Sequence, residues 1–181
     1  MLSSFRQKKI EKLFWFWDAD KNGYLEKKDY LSVGEKLSAE RNWAVGSPEN
    51  EFLMNKLVED WLEAEKFADT DKDNRISLSE WLVFCDTFTS DKEMYKITVT
   101  NVAQAIFDAC DIDVNGILER HEWQLLFRIY GKTNEEADEA FEIITQGGKD
   151  TLTQDKVLSL LDVFFYDENE NAIGNYFFGK L

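Results

Sequence analysis

Oxygen-bearing side chains recur at alternate positions in three twelve-residue segments, and this spacing constrains the fold more than any other feature of the chain. The segments are residues 18–29 (DADKNGYLEKKD), 69–80 (DTDKDNRISLSE) and 111–122 (DIDVNGILERHE). In each, oxygen donors occupy positions 1, 3 and 5, an apolar residue occupies position 8, and a carboxylate occupies position 12. Alternate residues of a tight loop can converge on one point, so the spacing predicts sites for a hard cation.

The candidate ligands are the side chains at positions 1, 3, 5, 9 and 12 and the main-chain carbonyl at position 7. In the first loop they are Asp18, Asp20, Asn22, Tyr24, Glu26 and Asp29. In the second loop they are Asp69, Asp71, Asp73, Arg75, Ser77 and Glu80. In the third loop they are Asp111, Asp113, Asn115, Ile117, Glu119 and Glu122. Soft ligands are absent from these positions, which makes zinc and copper poor interpretations and Ca²⁺ a good one.

The residues around the loops match the calcium-binding helix–loop–helix unit called the EF-hand. An entering helix should carry apolar residues one, four, five and eight positions before the loop, and an exiting helix should repeat the pattern after position 12. The flanks that follow this rule before Asp18 and after Glu122 are Ile10, Leu13, Phe14, Trp17, Trp123, Leu126, Phe127 and Tyr130. Before Asp69 the pattern is weaker, because Glu65 occupies an expected apolar position. Acidic surface loops at chance spacing would not be phased to helices in this way.

A fourth unit is predicted because EF-hand loops pair through short strands. The flank pattern places its loop at residues 145–156 (TQGGKDTLTQDK), with Leu152 at the apolar eighth position. Lys156 replaces the closing carboxylate, and a cationic group at that position opposes Ca²⁺. The glycines of this loop do not meet the spacing of a phosphate-binding loop. We therefore interpret the fourth loop as a structural partner of the third.

These elements predict an all-α fold with four EF-hand units in two pairs and short β-pairing between loops. The first pair spans residues 1–90 and the second spans residues 91–181, including a C-terminal tail that we expect to pack against the fold. The division between the pairs falls within residues 87–96. The long first linker holds an insertion around residues 38–47, and Ser47-Pro48 then starts the next helix as N-cap and first-turn proline.

Composition narrows the classes of partner and compartment. The net charge of −15 disfavours nucleic acid as a partner, because an acidic chain repels phosphate groups. No apolar run approaches the roughly 20 residues that span a bilayer, so no integral membrane segment is expected, and the N-terminal residues do not resemble a signal peptide. Cys85 and Cys110 are the two cysteines, and both fall on inward helix positions as inert thiols. These features favour a cytoplasmic protein.

The chain resembles the calexcitin and sarcoplasmic calcium-binding protein group of EF-hand proteins over essentially its whole length. The resemblance lies in three metal-competent loops, a degenerate fourth loop and a long first linker. Finer matches resemble calexcitin, namely Glu26 with Asp29, Gly147–Lys149, His121–Trp123 and Gly174–Gly179. The group implies a compact cytosolic protein that buffers or senses Ca²⁺, and calexcitin-like members are associated with neuronal signalling. Coelenterazine photoproteins are similar in size, but their degenerate second loop and several active-site histidines are not matched here.

The predicted function is the binding of three Ca²⁺ ions by a buffer or signalling sensor that is monomeric. Asp29 is one methylene shorter than glutamate, which suits Mg²⁺ and makes the first site a candidate for mixed Mg²⁺/Ca²⁺ binding. The alternative is a regulator that exposes an apolar surface to a specific protein target. Trp15 and Phe16 are expected to pack between the two halves, or otherwise to form a partner patch. Catalysis is not expected, because no nucleophile–base pair is evident and His121 is the only histidine.

Overall fold

The computed structural model describes residues 2–181, and most of them lie in helices. The α-helices are α1 (Ser4–Trp17), α2 (Lys27–Glu40), α3 (Pro48–Ala68), α4 (Leu78–Phe88), α5 (Lys92–Tyr95), α6 (Asn101–Cys110), α7 (Arg120–Ile129), α8 (Asn134–Ile144) and α9 (Gln154–Tyr166). The strands are β1 (Tyr24–Leu25), β2 (Ile76–Ser77), β3 (Ile117–Leu118) and β4 (Leu152–Thr153). A π-helix (Lys96–Thr100) joins α5 to α6, and a 3₁₀ helix (Ile173–Tyr176) follows α9. The predicted all-α class is confirmed.

Helix starts follow the local capping chemistry that the sequence predicts. The Ser47 hydroxyl accepts the Asn50 amide N–H, with Pro48 in the first turn of α3. Capping boxes begin α4 at Ser77 and α8 at Thr133. Each box satisfies two backbone N–H groups that a helix N-terminus otherwise leaves unpaired. The helices that bracket the loops therefore begin at residues set by short-range hydrogen bonds.

The four strands form two antiparallel pairs, one in each half of the chain. Leu25 pairs with Ile76 between β1 and β2, and Leu118 pairs with Leu152 between β3 and β4. All four side chains are buried. These are the apolar eighth positions of the loops, so the predicted pairing of loop one with loop two and of loop three with loop four is confirmed.

Phe16 lies in the core between the two halves, as predicted. It is 2% exposed, and its ring contacts Phe127, Tyr130 and Phe178 at centroid distances of 5.6, 4.4 and 4.9 Å. The neighbouring Trp15 differs from the prediction that both aromatics pack inward, because it is 45% exposed. The inward side of α1 carries Leu13, Phe14, Phe16 and Trp17, and at about 100° of rotation per residue Trp15 falls on its outward side.

The C-terminal segment packs on the second half, also as predicted. Phe177 lies against Trp123 with ring centroids 5.1 Å apart, and Phe178 lies against Phe164 at 4.8 Å. Lys9 of α1 is fully buried beneath this segment, where its ammonium group donates to the Asp167 carbonyl (2.7 Å). This contact ties the first helix of the chain to the end of α9.

No helix among residues 2–181 combines the length and apolar character needed to cross a membrane.

Candidate metal sites

The carboxylate at position 1 organises the backbone of each predicted metal loop. The amide N–H at position 6 donates to Asp18 in loop one (2.9 Å), to Asp69 in loop two (3.0 Å) and to Asp111 in loop three (2.8 Å). The amide at position 5 donates to the other oxygen of the same carboxylate, at 3.1 to 3.2 Å. The backbone therefore curls around one acidic side chain in the same way in all three loops.

Position 6 makes the sharp turn in each loop, and it requires a left-handed backbone. Its φ is +87° at Gly23, +62° at Asn74 and +78° at Gly116. Glycine adopts this region freely, and asparagine is among the few other residues that tolerate it. Asn74 therefore replaces glycine without a change in the course of loop two.

Carboxylate oxygens converge in each of the three loops. In every cluster three oxygens from different residues lie within 4.8 Å of one another. The clusters are Asp18, Asp20 and Asp29; Asp69, Asp71 and Asp73; and Asp111, Asp113 and Glu122. Like charges held this close repel one another in the absence of a cation. The donors are hard oxygen atoms, so the arrangement fits a hard divalent cation.

The closing residue distinguishes loop one from the other two. Glu80 reaches across its loop to accept the Thr70 amide N–H (2.9 Å), and Glu122 accepts the Ile112 amide in the same way (2.7 Å). The second oxygen of each accepts the position 9 amide at 2.9 Å. Asp29 makes the position 9 contact (2.9 Å), but within residues 2–181 no hydrogen bond joins it to the second residue of its loop. The shorter side chain therefore spans less of the loop.

The closing carboxylates also differ in their electrostatics. Burial opposes ionisation of Glu80, but hydrogen bonds from Ser77 and Thr70 outweigh it and lower the Glu80 pKa to about 2. Asp29 is 1% exposed, and burial raises its pKa to about 6, with a smaller opposing contribution from the Glu26 amide. The closing group of loop one is thus less readily ionised than that of loop two.

A lysine that the ligand spacing did not single out lies within the first site. The Lys28 ammonium group is 2.7 Å from Asp20 Oδ2 and 2.8 Å from Glu26 Oε2. Its hydrogen bonds lower the pKa of both carboxyl groups. Lys28 occupies position 11 of the loop, and a search for oxygen donors passes over it. The available signal in the sequence was a lysine at position 11, an even number of residues after the acids at positions 3 and 9.

The fourth loop keeps the paired strand but differs from the other three in backbone and in chemistry, because its positive φ values fall at positions 2–4 (residues 146–148) and not at positions 4 and 6. Lys156 at the closing position forms an ion pair with Asp150 Oδ2 at 2.8 Å. The buried Thr145 at position 1 uses its hydroxyl to donate to the Phe141 carbonyl. In the portion of the chain that is described, no carboxylate cluster forms in this loop. The cationic closing residue pairs with an acid of its own loop.

The histidine and the two cysteines of the chain lie outside the three carboxylate clusters. His121 is exposed beside Glu119, with 3.5 Å between Nδ1 and Oε2. Cys85 and Cys110 are buried free thiols, as predicted, and burial raises both thiol pKa values, that of Cys110 to about 12.

Comparison with known proteins shows which group of proteins this chain is similar to. The EF hand family model matches residues 66–84, which contain the second loop. The chain is 22% identical over 154 residues to sarcoplasmic calcium-binding proteins I, III and IV of Branchiostoma lanceolatum, covering 83% of each chain. It is 23% identical over 180 residues to calexcitin-1 of Caenorhabditis elegans, covering 97% of this chain and 86% of that protein.

The chain is similar to EF-hand proteins of the sarcoplasmic calcium-binding protein and calexcitin type. The solved structure of an amphioxus sarcoplasmic calcium-binding protein has the same fold, with a TM-score of 0.73, 20% identity and full coverage of both chains. The predicted resemblance to this EF-hand group is confirmed.

Proposed function

We propose that this EF-hand protein binds three Ca²⁺ ions, in loops 18–29, 69–80 and 111–122, and acts as a calcium buffer. The observation that carries the proposal is the repeated hydrogen-bond frame that curls three loops around converging carboxylate oxygens. The ligands are the eighteen candidate residues predicted from the spacing, with main-chain carbonyls at position 7. Binding would replace repulsion between acids by coordination and would tie the flanking helices together.

The proposed role is that of a cytoplasmic, monomeric, non-enzymatic protein. The relatives carry the names of calcium-binding proteins, which supports binding over catalysis. The paired strands support a division into one loop pair at residues 1–90 and another at residues 91–181. In this arrangement loop four supplies a strand partner to loop three and no ion ligands.

Calorimetric Ca²⁺ titration tests the number and identity of the sites. We expect three binding events in the full chain, and the loss of one event in each of Asp18→Asn, Asp69→Asn and Asp111→Asn. Glu49→Gln on the exposed start of α3 is the matched control, because it removes one charge from a residue outside the three loops. Fewer than three events in the unaltered chain, or variants that keep all three, would contradict the assignment.

Loop one is proposed as the site shared between Mg²⁺ and Ca²⁺. Asp29 reaches the position 9 amide but not the second residue of its loop, so we expect it to offer the ion fewer oxygens than glutamate would. A lower coordination number suits Mg²⁺ better than Ca²⁺. We expect millimolar Mg²⁺ to weaken one Ca²⁺ event in the unaltered chain, and Asp29→Glu to remove that competition. The reciprocal change, Glu122→Asp, should make loop three sensitive to Mg²⁺. Unchanged competition in Asp29→Glu would count against a mixed site.

The second candidate is a calcium-dependent regulator that opens an apolar surface to a protein target. The buffer is favoured because promiscuous sensor grooves are rich in methionine, whereas this chain has three. Both described ones, Met54 and Met94, are half-buried against the fold. A dye that fluoresces on apolar surfaces distinguishes the two functions. A large Ca²⁺-dependent rise would support the regulator, and a flat response would support the buffer.

A further inference from the structure

An apolar cavity of about 90 Å³ lies between the two halves of the molecule. Aromatic and aliphatic side chains of both halves form its walls, among them Trp17, Phe88, Val102 and Phe165. A cavity of about 150 Å³ in a protein core can take a benzene molecule, and one water needs roughly 10–15 Å³. The space between the halves is therefore much larger than a single water site and approaches the size of one aromatic ring.

The wall of this cavity contains a carboxyl group without a hydrogen-bond partner. Asp60 of α3 lines the cavity, is 7% exposed, and its Oδ1 atom has no partner among residues 2–181. Burial, with a smaller contribution from Glu63, raises the pKa of Asp60 well above its usual value. Buried polar atoms are nearly always hydrogen-bonded, so a bare one within a cavity indicates that something else bonds to it.

A donor in the same wall also lacks a partner. Trp81 of α4 lines the cavity, is 4% exposed, and its indole Nε1–H has no acceptor within the described chain. Asp60 and Trp81 lie on helices α3 and α4, which pack against each other. An apolar space with one bare acceptor and one bare donor suits a ligand that is mostly hydrocarbon and carries a single hydroxyl group.

One border of the cavity is formed by a π-helical backbone. Thr98 and Val99 of the π-helix line it, followed by Val102 and Ala103 at the start of α6. Thr98 and Ala103 are half-buried, so this wall reaches the surface. Short π-helical segments are rare and occur frequently at functional sites. A small molecule can therefore enter the cavity at this border.

We propose that the cavity is a binding site for a small aromatic alcohol of about the size of phenol, with its ring between the halves and its hydroxyl on Asp60 and Trp81. A hydroxyl group both donates and accepts, so it complements both bare atoms. An ammonium group fits less well, since the remaining lining residues offer few acceptors for its three donors and burial disfavours the Asp60 carboxylate. Leu118 of loop three lines the cavity, but none of the proposed ion ligands does, so the site does not depend on the assignment of the metal ligands.

Binding of phenol and toluene to the full chain tests the proposal, because the two molecules differ by a hydroxyl in place of a methyl group. The readout is the titration of backbone and indole NMR signals, including the Trp81 indole N–H. We expect both probes to bind, and Asp60→Ala to weaken binding of phenol about tenfold while binding of toluene changes little. Glu59→Ala, an exposed acid on the same helix, should leave both affinities unchanged.

A second variant keeps the test decisive if Asp60→Ala does not fold. Ala103→Phe should fill the cavity from its surface border and abolish binding of both probes. Ala39→Phe, at an exposed position of α2, should not. Three results would overturn the proposal: neither probe binds at millimolar concentration, which would mean that the space holds water only; Asp60→Ala affects both probes equally; or Ala103→Phe binds them normally.

Discussion

At the scale of single residues, Lys28 sets the first loop apart from the other two. Its ammonium group bridges Asp20 and Glu26, two of the proposed ligands. A cation entering the loop must displace it from both. Exposed ion pairs are weak, so the competition should be modest in size and sensitive to salt.

Replacing Lys28 tests this competition. We expect Lys28→Met to raise the Ca²⁺ affinity of loop one about two- to fivefold, since Ca²⁺ no longer displaces an internal cation. Lys27→Met is the matched control, because Lys27 is exposed one residue earlier and carries the same charge. Calorimetric titration at low salt measures both. Equal gains in Ca²⁺ affinity in the two variants would mean that net charge alone sets the affinity and that the ion pairs of Lys28 with Asp20 and Glu26 do not contribute.

Lys9 is a second residue whose surroundings decide its chemistry. It is fully buried, and its ammonium group donates to the carbonyls of Asp167 and Val163 and to Asn175 Oδ1. Burial lowers its pKa from the usual 10.5 to about 8, although the charges of Asp167 and Glu168 oppose the shift. Protonated Lys9 is therefore less favourable in the folded chain than in the unfolded chain.

The pKa of Lys9 predicts a pH dependence of stability. Between about pH 8 and pH 10.5 the unfolded chain holds a proton that the folded chain has lost. The contribution of this group to the free energy of unfolding therefore rises with pH across that window, by at most about 3 kcal/mol. We expect the free energy of unfolding of the unaltered chain to rise across this window relative to that of Lys9→Met. Urea unfolding measures both. The exposed Lys8→Met should run parallel to the unaltered chain, and parallel profiles for Lys9→Met would contradict the prediction.

At the scale of elements, the fourth unit matters through its strand. β4 pairs Leu152 with Leu118 of the third loop, and both side chains are buried. A loop without ion ligands can thus hold a metal loop in register. This explains how a unit with Lys156 at its closing position can still serve its neighbour.

Truncation of the strand residue tests that coupling. We expect Leu152→Ala to lower the free energy of unfolding by about 2–5 kcal/mol and to weaken Ca²⁺ binding at loop three, although it removes no ligand. Leu62→Ala removes the same atoms from a half-exposed position of α3 and should cost about 0.5 kcal/mol or less. Urea unfolding and calorimetry measure the two effects. Normal affinity at loop three in a folded Leu152→Ala protein would show that the strands are not coupled to binding.

At the scale of the whole molecule, the two halves share one core and are linked by polar contacts. Phe16 of α1 packs on Phe127 of α7, and the Lys36 ammonium group donates to the Ile129 carbonyl. Arg41, in the insertion after α2, donates to the carbonyl of Asp111, the first residue of loop three. The insertion therefore brings a first-half side chain to a second-half metal loop.

Substitution of two adjacent aromatic residues of α1 tests how much the shared core contributes to the free energy of unfolding. Phe16→Ala should lower the free energy of unfolding by about 3–5 kcal/mol, because it leaves a cavity between the halves. Trp15→Ala should cost about 1 kcal/mol or less, because its ring is half-exposed. Chemical unfolding followed by circular dichroism checks both. Similar losses in the two variants would be inconsistent with the packing described.

Local chemistry accounts for what the sequence could predict. The ligand spacing of Asp18, the turn at Gly23 and the caps at Ser47 and Thr133 each depend on hydrogen bonds within a few residues. The apolar eighth positions, such as Leu152, repeat with the loops and reveal their pairing. Because these interactions act within one turn or one loop, the residue order itself determines the four EF-hand units, their strands and the candidate ligands.

Only the tertiary structure decided which side chains from distant parts of the chain meet. Asp60 looks in the sequence like one more acid of an acidic helix, yet packing of α3 against the second half buries it in a cavity wall. Lys9 and Arg41 likewise find their carbonyl partners 158 and 70 residues away. Trp15 and Phe16 are alike in the sequence, and the direction in which α1 packs separates them. Burial and long-range hydrogen bonding depend on how all the helices fit together, and no local pattern records that.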